Sequence, residues 1–314
     1  MNVDLYAAVA QIALLLLLAP LLSGLIRNWK AKLQNRRGAR IWQPYFDLVK
    51  YLRKDQVISE HASWLFRVTP VVVFLTALAA GLMVPLVTAH APLGLFGGAL
   101  VVVGVLALGR FFLALGGLDP ATTFGGMGSS REMTIAALAE PALMLAIFTV
   151  AITAGSTNLG EIVLAGQGPG WKFLDAPHAL AFAAMFVVLL AETGRVPVDN
   201  PATHLELTMI HEAMILEYSG RSLAFVEWGA AIKQLVLMAL LVNLFFPLGL
   251  APGATPAACG AGLAFLAAKL LVLAGAVVLV EFTNAKLRLF RVPDLLSAAF
   301  MLGTLALVST FLFR

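Results

Sequence analysis

The chain has 314 residues, of which 61% are hydrophobic and only 12% charged, with a formal net charge of +4. An ordinary soluble domain is nearer half apolar and a quarter charged, so too little polar surface exists here to cover a soluble core. The same composition excludes a disordered chain, and the lone cysteine, Cys259, excludes a disulfide scaffold.

Crossing the hydrocarbon core takes about 20 largely apolar residues in a helix, so the charge-free runs are read first. Leu5–Ile26 is one. It reads as a true span and not a signal peptide, because no Lys or Arg precedes it and no small-residue cleavage site is clear. Val68–Gly109 is long enough for two spans, with Pro85, His90 and Pro92 at the turn between them. Met133–Gly160 is broken only by Glu140, and Ala176–Ala191 is clean until Glu192. Gln234–Ala268 carries Pro247, Pro252, Gly253 and Pro256 at an internal turn. Leu270–Val280 lies between Lys269 and Glu281, and Leu295–Phe313 is clean. The pattern predicts an all-α polytopic membrane protein, one integral domain over 1–314, with eight spans near 4–26, 67–89, 94–116, 131–155, 177–195, 226–248, 258–284 and 293–313.

Orientation follows from Lys and Arg, which favour the cytoplasmic side. The segments near 27–66, 117–131, 196–225 and 285–292 fall on one face and, with the adjoining Arg67, Arg110 and Arg195, receive 17 of the 21 basic residues. That face is expected to be cytoplasmic, with both termini outside. The basic excess is thus a statement about topology and not about nucleic acid.

Ile41, Trp42, Tyr45, Leu48, Val49 and Leu52 recur at helical spacing, with Asp47, Lys50, Arg53 and Lys54 opposite. This predicts an amphipathic helix in the interface, either a surface anchor or the wall of a cavity or docking face. The run Gly125-Gly126-Met127-Gly128-Ser129-Ser130 lacks the Lys of a phosphate-binding loop. Ser129-x-x-Glu132 reads as a capping box opening the fourth span. Glu140 then stands inside that span, about 12 Å from Glu132 along the helix and on a similar face. A carboxylate there faces a partner or a hydrated cavity, as a structural ion pair or as part of a proton or cation path.

AETGRVPVDNPATHLELTMIHEAMILEYSGR (Ala191–Arg221) is the densest polar stretch. Asn200 and Pro201 resemble a helix start, which predicts a short inner helix over 202–218 ended by Gly220. On it Glu206 and Glu217 share one face, and His204 and His211 share a roughly opposite one. The His-Glu-x-x-His spacing that seats zinc is missing. Glu132, Glu140, Glu192, Asp199, Glu206, Glu212, Glu217, Glu227, Lys233, Lys269 and Glu281 together make a set of ionisable groups in or beside spans, read as a hydrated proton or ion path. No haem-attachment motif or four-cysteine cluster site is encoded, so no redox cofactor is expected in this chain.

These stretches in order resemble the membrane subunit shared by group 4 [NiFe] hydrogenases and respiratory complex I (subunit 1), on the hydrogenase-4 component C and formate hydrogenlyase subunit 4 side. Ala191–Arg221 is the most specific part, supported by NRRGARIWQPYFDLVKYLRK (Asn35–Lys54), GLDPATTFGGMGSSRE (Gly117–Glu132) and FVEWGAAIKQL (Phe225–Leu235). Glu192, Pro197, Asp199 and Glu206 match the complex I pattern of Ala-Glu-Thr, Pro-x-Asp and following acids. Arg131 and Glu140 match its Arg and its acid nine later, and Gln43, Pro44 and Asp47 match Gln-Pro-x-x-Asp. The chain departs where Arg37-Gly38-Ala39-Arg40 replaces a longer Gly-Pro run, and where Glu132 replaces a small residue. His204 and the His211-Glu212 pair follow the hydrogenase-like pattern.

The resemblance implies a membrane anchor and coupling subunit. Its expected partners are [NiFe] hydrogenase large and small subunits, a ferredoxin-like Fe–S subunit and antiporter-like membrane subunits, with the NiFe centre and Fe–S clusters in those partners. Arg37, Gln43, Asp47, Arg131, His204, His211 and Arg221 are the docking candidates. The alternatives are a quinone-chamber subunit of an NADH–quinone oxidoreductase and a passive anchor of the hydrogenase arm.

Overall fold

The computed structural model describes residues 2–168, 175–200, 209–251 and 256–312. Among them no β-strand occurs, only two isolated bridges. The helices are α1 (Asn2–Leu33), α2 (Gln43–Arg53), α3 (Trp64–Met83), α4 (Ala99–Leu118), α5 (Thr123–Ala154), α6 (Leu159–Gly166), α7 (Ala176–Glu192), α8 (His211–Ile215), α9 (Gly220–Phe245), α10 (Pro256–Thr283) and α11 (Val292–Leu312). Seven of these are long and apolar enough to cross a bilayer: α1, α3, α4, α5, α9, α10 and α11. The eighth expected span, α7, has 17 residues, about 25 Å of helix, and is tucked among α5, α9 and α11.

One end of the bundle gathers the basic segments. There the C-terminal ends of α1, α4, α7 and α10 meet the N-terminal ends of α3, α5 and α9. Ser63 caps α3 and is itself held by Asp119 after α4, its backbone N–H at 2.6 Å and its hydroxyl at 2.6 Å. At the opposite end Ala99 N–H bonds the Thr157 carbonyl at 2.9 Å, and Ala251 N–H bonds the Val87 carbonyl at 3.0 Å. The core between the ends is centred on α9, where every residue from Gln234 to Phe245 is buried. Residues long and apolar all round form such a central helix.

Two expectations from the sequence are corrected. The fourth span does not open at a Ser129–Glu132 capping box. Its helix α5 opens at Thr123, capped by the Thr122 hydroxyl, which accepts from Gly125 N–H. Ser129 lies inside the helix and donates to the Ala114 carbonyl at 2.8 Å. The glycines that look like a loop are there for close approach: a Cβ on Gly125 would overlap the Gly117 carbonyl, and one on Gly128 would sit 2.9 Å from the Ala213 Cβ. Tertiary packing overrides the low helix propensity of glycine.

The inner helix expected over 202–218 is not continuous. His204 and Glu206 lie outside the described residues. Met209 and Ile210 are non-helical, and α8 covers only His211–Ile215. Asp199 holds this break, accepting from Ile210 N–H at 3.2 Å. Gly220 does not end that helix but opens α9 at φ +52°, where a Cβ would meet the Asp55 carbonyl at 2.6 Å. Only glycine meets both demands. The amphipathic helix forms as α2, with Leu48 buried.

Candidate functional site: a charged cavity and its arginine hub

A cavity of about 570 Å³ opens among α1, α2, α3, α4, α5, α7, α8 and α9 at the basic end. Its wall carries five cations (Arg27, Lys30, Arg110, Arg195 and Lys233) and six carboxylates (Asp47, Glu132, Glu192, Asp199, Glu212 and Glu227). Charges this dense beside a hydrophobic core must be paired, and the pairing is specific.

Arg110 of α4 is the hub. Its side chain is 5% exposed and meets three acids: Glu132 at 3.5 Å, Glu140 at 3.0 Å, and Glu192 in a short contact. Lys233 of α9 adds a second cation to Glu192 at 2.8 Å. The set thus holds three carboxylates against two cations. Glu132 and Glu192 line the cavity, whereas Glu140 stands deeper, near the middle of the 32-residue α5. The hub therefore joins cavity and membrane interior. Positions 132 and 140 do share a helix face, as the spacing predicts.

A second cluster lies alongside. Glu281 of α10, its side chain 1% exposed, pairs with Lys30 of α1 at 2.7 Å and Arg195 at 3.1 Å. Arg195 also donates to Gln234 Oε1 at 2.9 Å, an oxygen that accepts from Ser23 at 3.2 Å. The two clusters are linked by chain geometry. Lys233 and Gln234 are neighbours on α9, while Glu192 and Arg195 are three apart at the end of α7, so each helix contributes one rung to each cluster. Asp199 forms a third group, paired with Lys286 at 2.6 Å and accepting from Asn200 N–H at 2.8 Å.

His211 and Glu212 of α8 line the cavity together with Glu227 of α9. Burial lifts the Glu212 carboxyl above its ordinary value; Glu227 and Asp199 add to this, while His211 and Arg27 oppose it. Of the docking candidates on α2, Asp47 lines the cavity and accepts from Gln43 at 3.0 Å. Arg131 instead reaches the Met209 carbonyl at 2.9 Å and braces the chain before α8. Arg37, Glu217 and Arg221 are exposed.

Lys269 is not brought to the cavity. It bonds Asn243 Oδ1 at 2.6 Å and the Phe246 carbonyl at 3.2 Å, at the C-terminal end of α9. Asn243 in turn donates to the Pro85 and Leu86 carbonyls at 2.8 and 3.2 Å. A cation suits the negative end of a helix. Between Lys233 and Asn243 the stretch Leu235–Val242 is apolar and buried.

Sequence reasoning counted Arg110, Arg195, Lys30 and Lys286 only as topology markers and passed over Gln234. One signal was available: the span expected over 94–116 encloses Arg110, and α4 indeed runs eight residues beyond it, Phe111–Leu118. Among the described residues, no group of three or more His, Cys, Asp or Glu is placed to hold a metal ion.

An all-helical bundle with membrane-length helices and a buried ion-pair network at one end defines a multi-pass membrane protein. The chain belongs to the NADH dehydrogenase family, whose model matches residues 6–312. It is 34% identical to hydrogenase-4 component C of Escherichia coli over 96% of this chain and 94% of that protein. It is 35% identical to formate hydrogenlyase subunit 4 of the same organism, over 95% and 96% respectively. An NADH-quinone oxidoreductase subunit of Rubrobacter xylanophilus is 29% identical over 67% of this chain and 63% of that protein. Among solved structures, a chain of the membrane-bound sulfane sulfur reductase, an archaeal respiratory membrane complex, matches with a TM-score of 0.85 at 20% identity, covering 99% of this chain and 100% of that one. At that identity the match establishes a shared fold.

Proposed function

We propose that this chain is the membrane anchor and coupling subunit of a formate hydrogenlyase-like [NiFe] hydrogenase complex. It sits in a prokaryotic cell membrane with its basic end cytoplasmic and both termini outside. A peripheral arm of hydrogenase large, small and ferredoxin-like subunits, which hold the NiFe centre and Fe–S clusters, docks over the cavity mouth. A redox change in that arm alters charge at the cavity, and the Arg110 hub passes the change from Glu132 and Glu192 to Glu140. Antiporter-like membrane subunits complete proton or cation translocation. The carrying observation is the position of Arg110, which bonds two cavity carboxylates and one in the middle of α5. Such intramembrane charges are costly and mark ion paths.

The test is to purify the chain with its native partners and to compare wild type with Glu140→Gln. The reading expects a [NiFe] large subunit in the preparation, and ion pumping lost in vesicles while turnover with artificial dyes persists. Unchanged pumping would reduce the chain to a passive anchor. The cavity volume favours a second reading, since about 300–1,000 Å³ suits a small molecule: a quinone chamber. Its charged walls oppose a lipophilic ring, which would strip their hydration. An NADH module and quinone-inhibitor sensitivity in the purified complex would decide for that reading.

A further inference from the structure

A second concavity, about 620 Å³, lies on the membrane-facing side between α1 and α2, with Leu263 of α10 at its edge. Its floor is Leu14, Leu17, Leu18 and Leu21, one face of α1 at helical spacing, and its roof is Trp42 and Phe46 of α2. These two aromatics are 59% and 62% exposed. Tyr45 also lines the groove, and its hydroxyl donates to the Leu17 carbonyl, so that hydroxyl is not left bare in it.

We infer that this groove holds one acyl chain of an anionic phospholipid whose phosphate rests on Arg36, Arg37 and Arg40. Three observations converge. First, residues 38–41 fold back along α1: Asn28 Nδ2 donates to the Ala39 carbonyl at 2.8 Å, and Gly24 lies so close to the Ile41 carbonyl that a Cβ would overlap it. The arginine loop therefore lies directly above the leucine face. Second, from Gly24 to Leu14 is ten residues, about 15 Å of helix, or half of a hydrocarbon core about 30 Å thick. The groove is one leaflet deep. Third, the loop arginines are exposed, and no carboxylate side chain occurs anywhere from Leu5 to Phe46. A polybasic segment next to a span recognises anionic headgroups, and Trp and Tyr favour the headgroup level.

The experiment reconstitutes the chain, with the subunits that co-purify with it, into phosphatidylcholine vesicles doped with a lipid brominated on its acyl chain. The difference between wild type and Trp42→Phe isolates the fluorescence of Trp42. Brominated phosphatidylglycerol should quench that signal at about one tenth the mole fraction that brominated phosphatidylcholine needs. Arg36→Gln/Arg37→Gln/Arg40→Gln should abolish the preference. Equal quenching by both lipids in the wild type would overturn the proposal in favour of ordinary bulk lipid. Quenching by neither would overturn it in favour of a protein segment covering the groove. Should Trp42→Phe not accumulate, native mass spectrometry reads the same question without altering the groove. Phosphatidylglycerol should remain bound to wild type and be lost from the triple arginine variant, and equal retention by both would sink the idea.

Discussion

Arg110 and Glu140 are 3.0 Å apart, the one nearly buried in α4 and the other at mid-length in α5. This contact turns two residues on neighbouring helices into a link between the cavity and the bilayer interior. Under the coupling reading, Glu140→Gln keeps the shape and removes the charge. Proton or cation uptake into inverted vesicles should fall by about tenfold or more, with dye-linked hydrogenase turnover within about twofold of wild type.

Arg110→Met should be far more damaging to the fold. It leaves Glu192, 3% exposed, relying on Lys233 among the described residues for its ion pair. Breaking a buried pair from one side costs about 3–5 kcal/mol. Recovery of monodisperse protein after heating in detergent should drop accordingly. The double variant Arg110→Met/Glu192→Gln should recover part of the loss, because the orphaned charge is gone. A double variant no better than the single would refute the hub.

The second cluster predicts a smaller effect at Gln234. Gln234→Leu takes an acceptor from both Arg195 and Ser23. One buried donor left unmet costs about 1–3 kcal/mol, measurable as a lower midpoint of thermal aggregation. Glu281 still pairs with Arg195, so the variant should accumulate.

Two adjacent glycines on α5 separate packing from propensity. Gly125→Ala would press a methyl onto the Gly117 carbonyl, whereas Gly126 has nothing within 4 Å of its Cβ position. The first substitution should destabilise by about 1–3 kcal/mol. The second should be neutral, or stabilise by roughly 0.5–1 kcal/mol through helix propensity. Parallel thermal melts of the two variants check this.

Glu212 gives a pH prediction. Burial raises its carboxyl above the ordinary value of 4.5, so the folded protein favours the protonated form. Stability from this group is fully present below the unfolded value and is lost as pH rises through the raised folded value. A protonated carboxyl band in the infrared spectrum should therefore persist above pH 4.5 and disappear on further alkalinisation. Glu212→Gln should remove that band and flatten the pH dependence of thermal stability in the same window.

The positions of the helices were legible because apolar runs of membrane length have few other uses. Seven spans and the short α7 agree with the charge-free runs to within a few residues at most ends. The start of α5 was not legible. A Gly-Gly-Met-Gly run has poor intrinsic helix propensity, and only the surfaces of α4 and α8 pressed against it explain why it is helical. Ionisable positions such as Glu132, Glu140 and Glu192 could be picked out as costly. Their grouping on one arginine could not, since Arg110 lies on α4 and the acids come from two other stretches of chain, α5 and α7.

The sequence alone determined the solvent, the span count and the resemblance to the complex I and hydrogenase membrane subunits, because these depend on composition and local order. The tertiary structure decided which charges meet. It moved Arg110, Arg195 and Lys30 from topology markers into buried pairs, and it set Lys269 apart at the far end of α9. The physical reason is that pairing depends on distance and desolvation, and both are fixed only once the helices pack.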